Sequence, residues 1–245
     1  MGRVLALLYG VVAYAIFFAT FLYAIGFVED LVVPQSIDRG GPTAALLTAV
    51  LIDAALLGVF AVQHSVMARP AFKRAWTRIV PQPVERSTYV IFSSLALILL
   101  FWQWRPIPGV VWSLGGAGGA VLTAISWLGF GLVLLSTFLL NHFELFGLQQ
   151  VWQNLTRGQH ADPQFRTPLL YAFVRHPLYL GFTLAFWGAA TMTVGHLLFA
   201  VATLGYMLIA IQFEERDLIG VFGDTYLAYR RRVSMLIPLP PKSGG

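Results

Sequence analysis

Cysteine is absent from this chain of 245 residues, and charged residues are scarce. Without cysteine there is no disulfide, no thiolate metal ligand and no cysteine nucleophile. Only 11% of the residues are charged and 58% are hydrophobic, whereas a soluble domain carries about 25% charged residues. These two shortages argue against an ordinary soluble domain and predict an integral-membrane protein.

Long apolar runs fill most of the chain. A membrane-spanning helix needs roughly 20 apolar residues, and the third run found here is short, so the sequence predicts five or six spans. Little more than Gly195 and His196 separates the last two runs, which predicts a tight C-terminal helical hairpin. We therefore expect an all-α, polytopic transmembrane helix bundle, folded as a single domain over residues 1–245. The predicted spans are 4–28, 43–66, 88–104, 121–140, 178–194 and 197–214.

Positive charge predicts the orientation of the chain. The net charge of +5 comes from residues beside apolar runs, so we attribute it to topology and lipid headgroups rather than to nucleic acid. With six spans and a cytoplasmic N-terminus, every Lys and Arg except Arg39 and Arg105 falls on the cytoplasmic side. Both termini are then cytoplasmic. A break at Gly223, with Asp224 as N-cap, predicts a cytoplasmic amphipathic C-terminal helix on the membrane surface.

Reactive side chains concentrate at the predicted inner ends of four helices. Ionisable groups at a membrane are expensive and mark functional sites, and pockets form where helices meet. We therefore predict a site at the cytoplasmic leaflet. Its candidate residues are His64 at the end of the second run, His142 and Glu144 after the fourth, Arg175 and His176 at the start of the fifth, and Glu214 and Glu215 at the end of the sixth.

The stretch YAFVRHPLYLGF, residues 171–182, has a local physical interpretation. Pro177 suits the first turn of a helix, where its missing N–H costs nothing. Arg175 and His176 then lie at a helix N-terminus, which favours an anion, and Tyr179 shares a face with His176. Together with the carboxylates that follow the sixth run, of which we expect Glu214 to face the site, this arrangement suits a zwitterionic ligand such as a methionyl group.

Two features lie inside the predicted spans. Gly181, Ala185 and Ala189 form a stripe of small residues that permits close approach of a neighbouring helix. Asp53 is an intramembrane acid, which is functional by default. A structural partner such as Arg105, or a Trp or Tyr donor, explains Asp53 equally well.

The polar residues near the C-terminus also carry a resemblance to a known family. Arg-His-Pro-x-Tyr-x-Gly at 175–181, Glu-Glu at 214–215 and Phe-Gly-x-x-Tyr-x-x-Tyr at 222–229 resemble the signature of integral-membrane methyltransferases. That superfamily includes isoprenylcysteine carboxyl methyltransferases and phospholipid N-methyltransferases. Upstream, FLYAIGFVEDLVVP, QHSVMARPAFK, ERSTYV and NHFELFGLQQVW resemble the bacterial methanethiol S-methyltransferases.

The resemblance implies S-adenosylmethionine (SAM) as methyl donor, a small thiol as acceptor and the bacterial inner membrane as location. It assigns residues 1–150 to the substrate pocket and 165–240 to the SAM-binding signature. The cofactor residues that it implies are Arg175, His176, Tyr179 and Glu214, and we include Tyr171 and Glu215 beside them.

The implied reaction converts methanethiol to dimethyl sulfide by in-line methyl transfer. The thiolate is the nucleophile, so a group must take the thiol proton. His64 and His142 are the candidate bases, because histidine titrates near physiological pH. We favour His64, steered by Gln63 or Ser65. Glu144 either orients His142 or acts as the base itself.

Other functions remain open on the sequence. A lipid-like acceptor, an isoprenylcysteine carboxylate or a phospholipid amine, is the alternative within the methyltransferases. A metal-dependent membrane enzyme is the second class, although no His-x-x-His or His-x-x-x-His spacing occurs and we expect no metal. A carrier is disfavoured by the clustering of reactive groups at one leaflet. We expect membrane lipids as partners, and neither nucleic acid nor a protein partner.

Overall fold

A computed structural model describes residues 2–158 and 165–238 of the chain. Almost all regular structure in these two ranges is helical, and two short strands pair in a two-stranded sheet. The strands are β1, Val110–Ser113, and β2, Thr191–Thr193, and a short 3-10 helix covers Leu169–Ala172. The α-helices are α1 Arg3–Glu29, α2 Leu46–Ala68, α3 Pro70–Trp76, α4 Gln82–Gln103, α5 Gly116–Leu140, α6 His142–Leu145, α7 Leu148–Thr156, α8 Pro177–Trp187, α9 Val194–Phe222 and α10 Asp224–Arg232.

Five of these helices, α1, α2, α4, α5 and α9, are long and apolar enough to cross a membrane. The predicted all-α, polytopic helix bundle is thereby confirmed, and the chain is a multi-pass membrane protein. The third span is a full helix of 22 residues, so the expectation of a short segment was wrong. The predicted span began at residue 88, whereas the helix begins at Gln82 and includes Glu85 and Arg86.

The fifth predicted span, 178–194, was too long. The helix there has 11 residues and ends at Trp187, which corresponds to roughly 16 Å of rise against a hydrocarbon core of about 30 Å. The chain then becomes extended in β2. Gly195 and His196, expected in a turn between two helices, lie instead in the first turn of α9.

The described residues divide into two compact units. Unit 1 consists of residues 2–112, 141–158 and 192–199, and unit 2 of residues 113–140, 165–191 and 200–238. In unit 1, α4 packs against α1 and α2, and α7 packs against α1. The assignment of 1–150 to a substrate pocket and 165–240 to a donor site, within one domain, stays a prediction.

In unit 2, α8 packs closely against α5. A Cβ added to Gly129 of α5 would lie 2.4 Å from the backbone nitrogen of Ala185 and 2.5 Å from the carbonyl oxygen of Gly181. The hydroxyl of Ser126 donates a hydrogen bond to the carbonyl of Ala185 at 2.7 Å. Small residues let the two backbones approach. The stripe begun by Gly181 and Ala185 therefore permits the predicted close approach, and the neighbouring helix is α5.

Candidate functional site

The carboxylate of Glu215, in α9, lies at the centre of a buried ion cluster in unit 2. Its Oε1 accepts hydrogen bonds from Arg175 Nε at 2.7 Å and His176 Nε2 at 3.2 Å. Its Oε2 lies 3.1 Å from Arg230 Nε. The side chain is only 4% exposed, and a buried carboxylate is tolerated when charged and hydrogen-bonding partners surround it. Glu215 is therefore satisfied by the protein itself on both oxygens.

Arg175 connects the start of α8 to the segment after α10. Its Nη1 donates to the carbonyls of Arg230 and Val233, and its backbone N–H donates to the carbonyl of Ser234 at 2.8 Å. The sequence suggested a positive charge offered to an anion. In the structure the guanidinium donates hydrogen bonds to Glu215 and to backbone carbonyls. Arg175 therefore holds the segments of the site together.

His176 and Glu214 occupy the adjoining part of the cluster. His176 is buried, and its Nδ1 lies 3.7 Å from Glu214 Oε2. Its ring centroid lies 5.7 Å from that of Tyr179, so the shared face expected from their spacing is present. The side chain of Glu214 is 44% exposed. Of the two adjacent acids, Glu214 is the one that can offer a carboxylate to a ligand.

Three tyrosines surround these charges. Tyr229 donates its hydroxyl to the carbonyl of Tyr171 at 2.6 Å, and burial raises the pKa of Tyr229 to about 12. Burial also raises the pKa of Tyr171 and of Tyr226. All three phenols therefore remain protonated donors at neutral pH. The buried hydroxyl of Tyr226 has no hydrogen-bond partner among the described residues, and a buried polar atom of this kind is expected to find one.

The helix break before this tyrosine pair lies where the sequence placed it. Gly223 has a φ of +53°, in the region that favours glycine. The N-cap of α10 is Gly223 itself, and Asp224 lies in the first turn rather than at the cap. Tyr226 and Tyr229 are the buried residues of α10, so this short helix contributes both of its buried side chains to the cluster.

His64, in α2 of unit 1, contacts two hydroxyls from α4. The hydroxyl oxygen of Tyr89 lies 2.8 Å from His64 Nε2 and 3.1 Å from Nδ1. The hydroxyl of Ser93 lies 3.2 Å from Nδ1. Gln63, expected to steer His64, reaches Ser93 at 3.5 Å. These contacts to the His64 ring come from α4, the third predicted span, to which the sequence analysis had assigned none of the candidate site residues.

His142, also in unit 1, forms a second histidine–tyrosine pair. Its Nε2 lies 2.8 Å from the hydroxyl of Tyr14, and its ring is flanked by those of Phe143 and Phe146. Burial lowers the pKa of His142, so its imidazole is neutral at physiological pH and able to accept a proton.

Glu144 lies in the first turn of α6, and Asn141 is the N-cap of that helix. Its carboxylate accepts a hydrogen bond from Asn141 Nδ2 at 3.0 Å, and its backbone N–H donates to Asn141 Oδ1 at 3.4 Å. An asparagine that accepts a backbone N–H in this way is typical of a helix N-terminus. The carboxylate of Glu144 is exposed, and the contacts shown here give it a structural role at the start of α6.

An apolar cluster lies beside both histidine–tyrosine pairs. Its buried residues are Met67, Tyr89 and Val90, with Phe17 and Phe146 packed against them. The rings of Phe17 and Phe146 stack with centroids 3.7 Å apart. Because Tyr89 contacts His64 and Phe146 contacts His142, both candidate bases border one aromatic and sulfur-containing surface.

Asp53 is completely buried in α2. Its Oδ1 accepts a hydrogen bond from the backbone N–H of Arg105 at 2.9 Å, and its Oδ2 has no partner in the described ranges. Arg105 directs its guanidinium to Gln103. The anticipated pairing with Arg105 therefore occurs through the main chain.

The predicted site residues fall into two groups. Within residues 2–158 and 165–238, no group of three or more His, Cys, Asp or Glu side chains is arranged to hold a metal ion. The convergence of four helix ends at one membrane face stays a prediction. The structure groups Tyr171, Arg175, His176, Tyr179, Glu214 and Glu215 in unit 2, and places His64, His142 and Glu144 in unit 1.

Comparison with known proteins gives full-length relatives. The chain is 57% identical over 237 residues to methanethiol S-methyltransferase 1 of Bradyrhizobium diazoefficiens, covering 96% of this chain and 83% of that protein. It is 54% identical over 241 residues to methanethiol S-methyltransferase of Mycobacterium tuberculosis, covering 98% of each. Nurim of Mus musculus is 29% identical over 205 residues, 74% of this chain and 76% of its own. No family model and no solved structure matches the chain.

Proposed function

Because the chain belongs to the methanethiol S-methyltransferase family, we propose that it transfers a methyl group to methanethiol and releases dimethyl sulfide. The extent of the similarity carries this proposal, since it covers both structural units almost completely. A family of methyltransferases requires a methyl donor. We assign that role to SAM, which supplies a methyl group already activated by a sulfonium.

The cluster in unit 2 has the groups that a SAM molecule needs. The exposed carboxylate of Glu214 suits the ammonium of the methionyl part, and the N-terminus of α8 suits its carboxylate. The unpartnered hydroxyl of Tyr226 offers one more donor. His176 and Tyr179 supply rings at the same end of α8.

The remaining cofactor residues support these groups. Glu215 and Arg175 hold α9, α8 and the segment after α10 in a fixed relation. The backbone carbonyl of Tyr171 accepts a hydrogen bond from the hydroxyl of Tyr229. Since binding sites depend on rigid supporting contacts, these residues act by positioning the ones that contact SAM.

Unit 1 supplies the groups that the thiol needs. His64 is the base that we favour, and His142 is the second candidate. Removing the thiol proton produces the thiolate that attacks the methyl group. The aromatic cluster around Met67 and Phe146 provides an apolar environment that suits a small alkyl thiol and excludes water.

We place the protein in the bacterial inner membrane with both termini in the cytoplasm, as the distribution of Lys and Arg predicts. Five spanning helices alone would leave the termini on opposite sides, so this placement requires the chain through α8 and β2 to complete a sixth crossing. Reporter fusions after residue 40, after residue 158 and at the C-terminus test this. The first should report the periplasm and the other two the cytoplasm. A periplasmic C-terminus would contradict the assignment.

The activity is tested with purified protein in lipid nanodiscs. SAM is supplied with methanethiol, with hydrogen sulfide, with a prenylcysteine or with phospholipid alone, and the headspace and lipid fractions are assayed. Dimethyl sulfide should appear in equal amount with S-adenosylhomocysteine. A methylated prenylcysteine or phospholipid, with no dimethyl sulfide from methanethiol, would overturn the proposal.

A further inference from the structure

Both ring nitrogens of His64 are already in contact with hydroxyl groups. Tyr89 Oη lies 2.8 Å from Nε2 and 3.1 Å from Nδ1, and Ser93 Oγ lies 3.2 Å from Nδ1. A neutral imidazole has one N–H donor and one acceptor nitrogen. In either tautomer the acceptor nitrogen is therefore within hydrogen-bonding distance of the Tyr89 hydroxyl.

We propose that Tyr89 is a catalytic residue that relays the thiol proton to His64. This inference rests on the proposed function. The thiol proton passes to Tyr89 Oη while the phenolic proton passes to the acceptor nitrogen of His64. The sulfur lone pair forms a C–S bond to the methyl group of SAM, and the bond from that methyl group to the sulfonium breaks with its electron pair left on the donor sulfur. Dimethyl sulfide, S-adenosylhomocysteine and a protonated His64 result, and His64 returns its proton to water.

Tyr89 is better suited to the relay than Ser93. Its hydroxyl makes the shorter contact with His64 and reaches both nitrogens, whereas Ser93 reaches Nδ1. A phenol, with an ordinary pKa of about 10, gives up a proton far more readily than an alkyl hydroxyl. Ser93 then accepts the Nδ1–H and keeps Nε2 as the acceptor that faces Tyr89.

The surroundings of Tyr89 hold its ring in place independently of the hydroxyl. The ring is buried with Met67 and Val90, and the guanidinium of Arg86 lies 5.0 Å from its centroid. Arg86 is itself fixed by a hydrogen bond from Nε to the carbonyl of Leu145 at 2.7 Å. A phenylalanine at this position keeps those packing contacts, so removal of the hydroxyl isolates its chemical role.

The test compares Tyr89→Phe with wild type on methanethiol and on methaneselenol. General acid–base catalysis contributes roughly 100-fold or more, so kcat/KM for methanethiol should fall by about that factor. Methaneselenol has nearly the same shape and is already ionised at neutral pH. The kcat/KM of Tyr89→Phe for methaneselenol should therefore fall little or not at all. The affinity for SAM, measured by calorimetry, should not change.

A pH profile with methanethiol gives a second readout. The rate of Tyr89→Phe should rise about tenfold per pH unit below the thiol pKa, because only pre-ionised thiolate reacts, while the wild-type rate rises less steeply. The other titratable and charged groups on the surrounding helices are common to both proteins. They are Arg3, Tyr9, Tyr14, Tyr23 and Glu29 on α1, Asp53 and His64 on α2, Lys73 and Arg74 on α3, Glu85 and Arg86 on α4, and His142 and Glu144 on α6.

Tyr9→Phe is the matched control. The Tyr9 hydroxyl lies 3.0 Å from Thr88 Oγ1, one residue from Tyr89, so the variant loses a similar hydrogen bond without touching His64. Tyr9→Phe should keep the wild-type ratio of kcat/KM for methanethiol to kcat/KM for methaneselenol. If Tyr89→Phe lost kcat/KM equally on both acceptors, or kept the wild-type pH profile, the relay would be wrong. The proposed function would still stand in that case, provided that the wild type forms dimethyl sulfide. Absence of dimethyl sulfide from wild type refutes the proposed function and the relay with it.

Discussion

Arg175 and Glu215 are 40 residues apart in the chain and form a buried ion pair, with 2.7 Å between Arg175 Nε and Glu215 Oε1. The side chain of the neighbouring Glu214 is 44% exposed. Two adjacent acids of one helix therefore have different environments, which separates a structural role from a ligand-binding role and allows each to be tested by the same substitution.

Glu215→Gln should destabilise the protein strongly. The substitution leaves the guanidinium of Arg175 buried without its counter-charge, which costs about 3 kcal/mol in comparable pairs. Thermal or denaturant unfolding in detergent measures this loss. Glu214→Gln is the matched control and should change the free energy of unfolding by no more than about 0.5 kcal/mol, as exposed sites do. Equal destabilisation by both variants would contradict the division of roles.

Glu214→Gln should instead weaken the binding of SAM. Loss of a charge-assisted hydrogen bond is worth about 1.5 kcal/mol or more, so the Kd measured by calorimetry should rise about tenfold. Asp217→Asn removes an acid from the same helix and should leave the Kd unchanged. If both substitutions raised the Kd alike, general electrostatics rather than a direct contact would be responsible.

Gly129→Ala should destabilise the packing of α5 on α8. The added Cβ would lie 2.4 Å from the backbone nitrogen of Ala185, and overpacking of this kind typically costs about 1–3 kcal/mol. Gly131→Ala is the control in the same helix, because a Cβ there meets nothing within 4 Å and alanine favours a helix. Unfolding of both variants in detergent should show the first less stable than wild type and the second at least as stable.

His64→Gln should lower kcat more than His142→Gln does, and neither should change the Kd for SAM. The two histidines lie in unit 1, outside the residues assigned to the donor, so their loss affects the acceptor step. Steady-state kinetics with methanethiol and calorimetry with SAM separate the two effects. A larger loss of kcat in His142→Gln would identify His142, rather than His64, as the base.

The stability of the protein should fall as the pH drops below about 6.5, the ordinary histidine pKa. Burial lowers the pKa of His142 in the folded protein, so folding favours its neutral form. That contribution is complete above the ordinary pKa and is lost as the pH falls toward the lowered folded value. The Tm measured from pH 7.5 to 5.5 should decrease more steeply for wild type than for His142→Phe. Identical slopes would remove His142 as the cause.

The helices that the sequence predicted best are those whose whole length is uniformly apolar. The first span was predicted at 4–28 and is Arg3–Glu29. The span predicted at 178–194 failed because hydropathy treats Gly188 and the following small residues as a continuation of the helix, whereas the chain leaves the helix there and forms a strand. Such a change depends on the pairing of β2 with β1, which an apolar window does not register.

The residues of the site were predictable where a local motif carries them. Arg175, His176 and Tyr179 follow from a helix start, and the two acids from a helix end. Arg230 belongs to the C-terminal helix that the sequence placed on the membrane surface, yet its side chain contacts Glu215. Tyr89 and Tyr14 were missed because their contacts join different helices, 25 and 128 residues away along the chain.

The backbone bridge between Val174 and Ser234 has a consequence for biosynthesis. The N–H groups of Arg175 and His176 bond to the carbonyls of Ser234 and Met235, so this corner of unit 2 closes only after the ribosome has made the chain as far as Met235. By that point every membrane helix has been synthesised, and the corner is still open. Assembly of the proposed donor site is therefore a late event that follows insertion, and if SAM binds at this site, nascent chains arrested before Met235 should be unable to bind it.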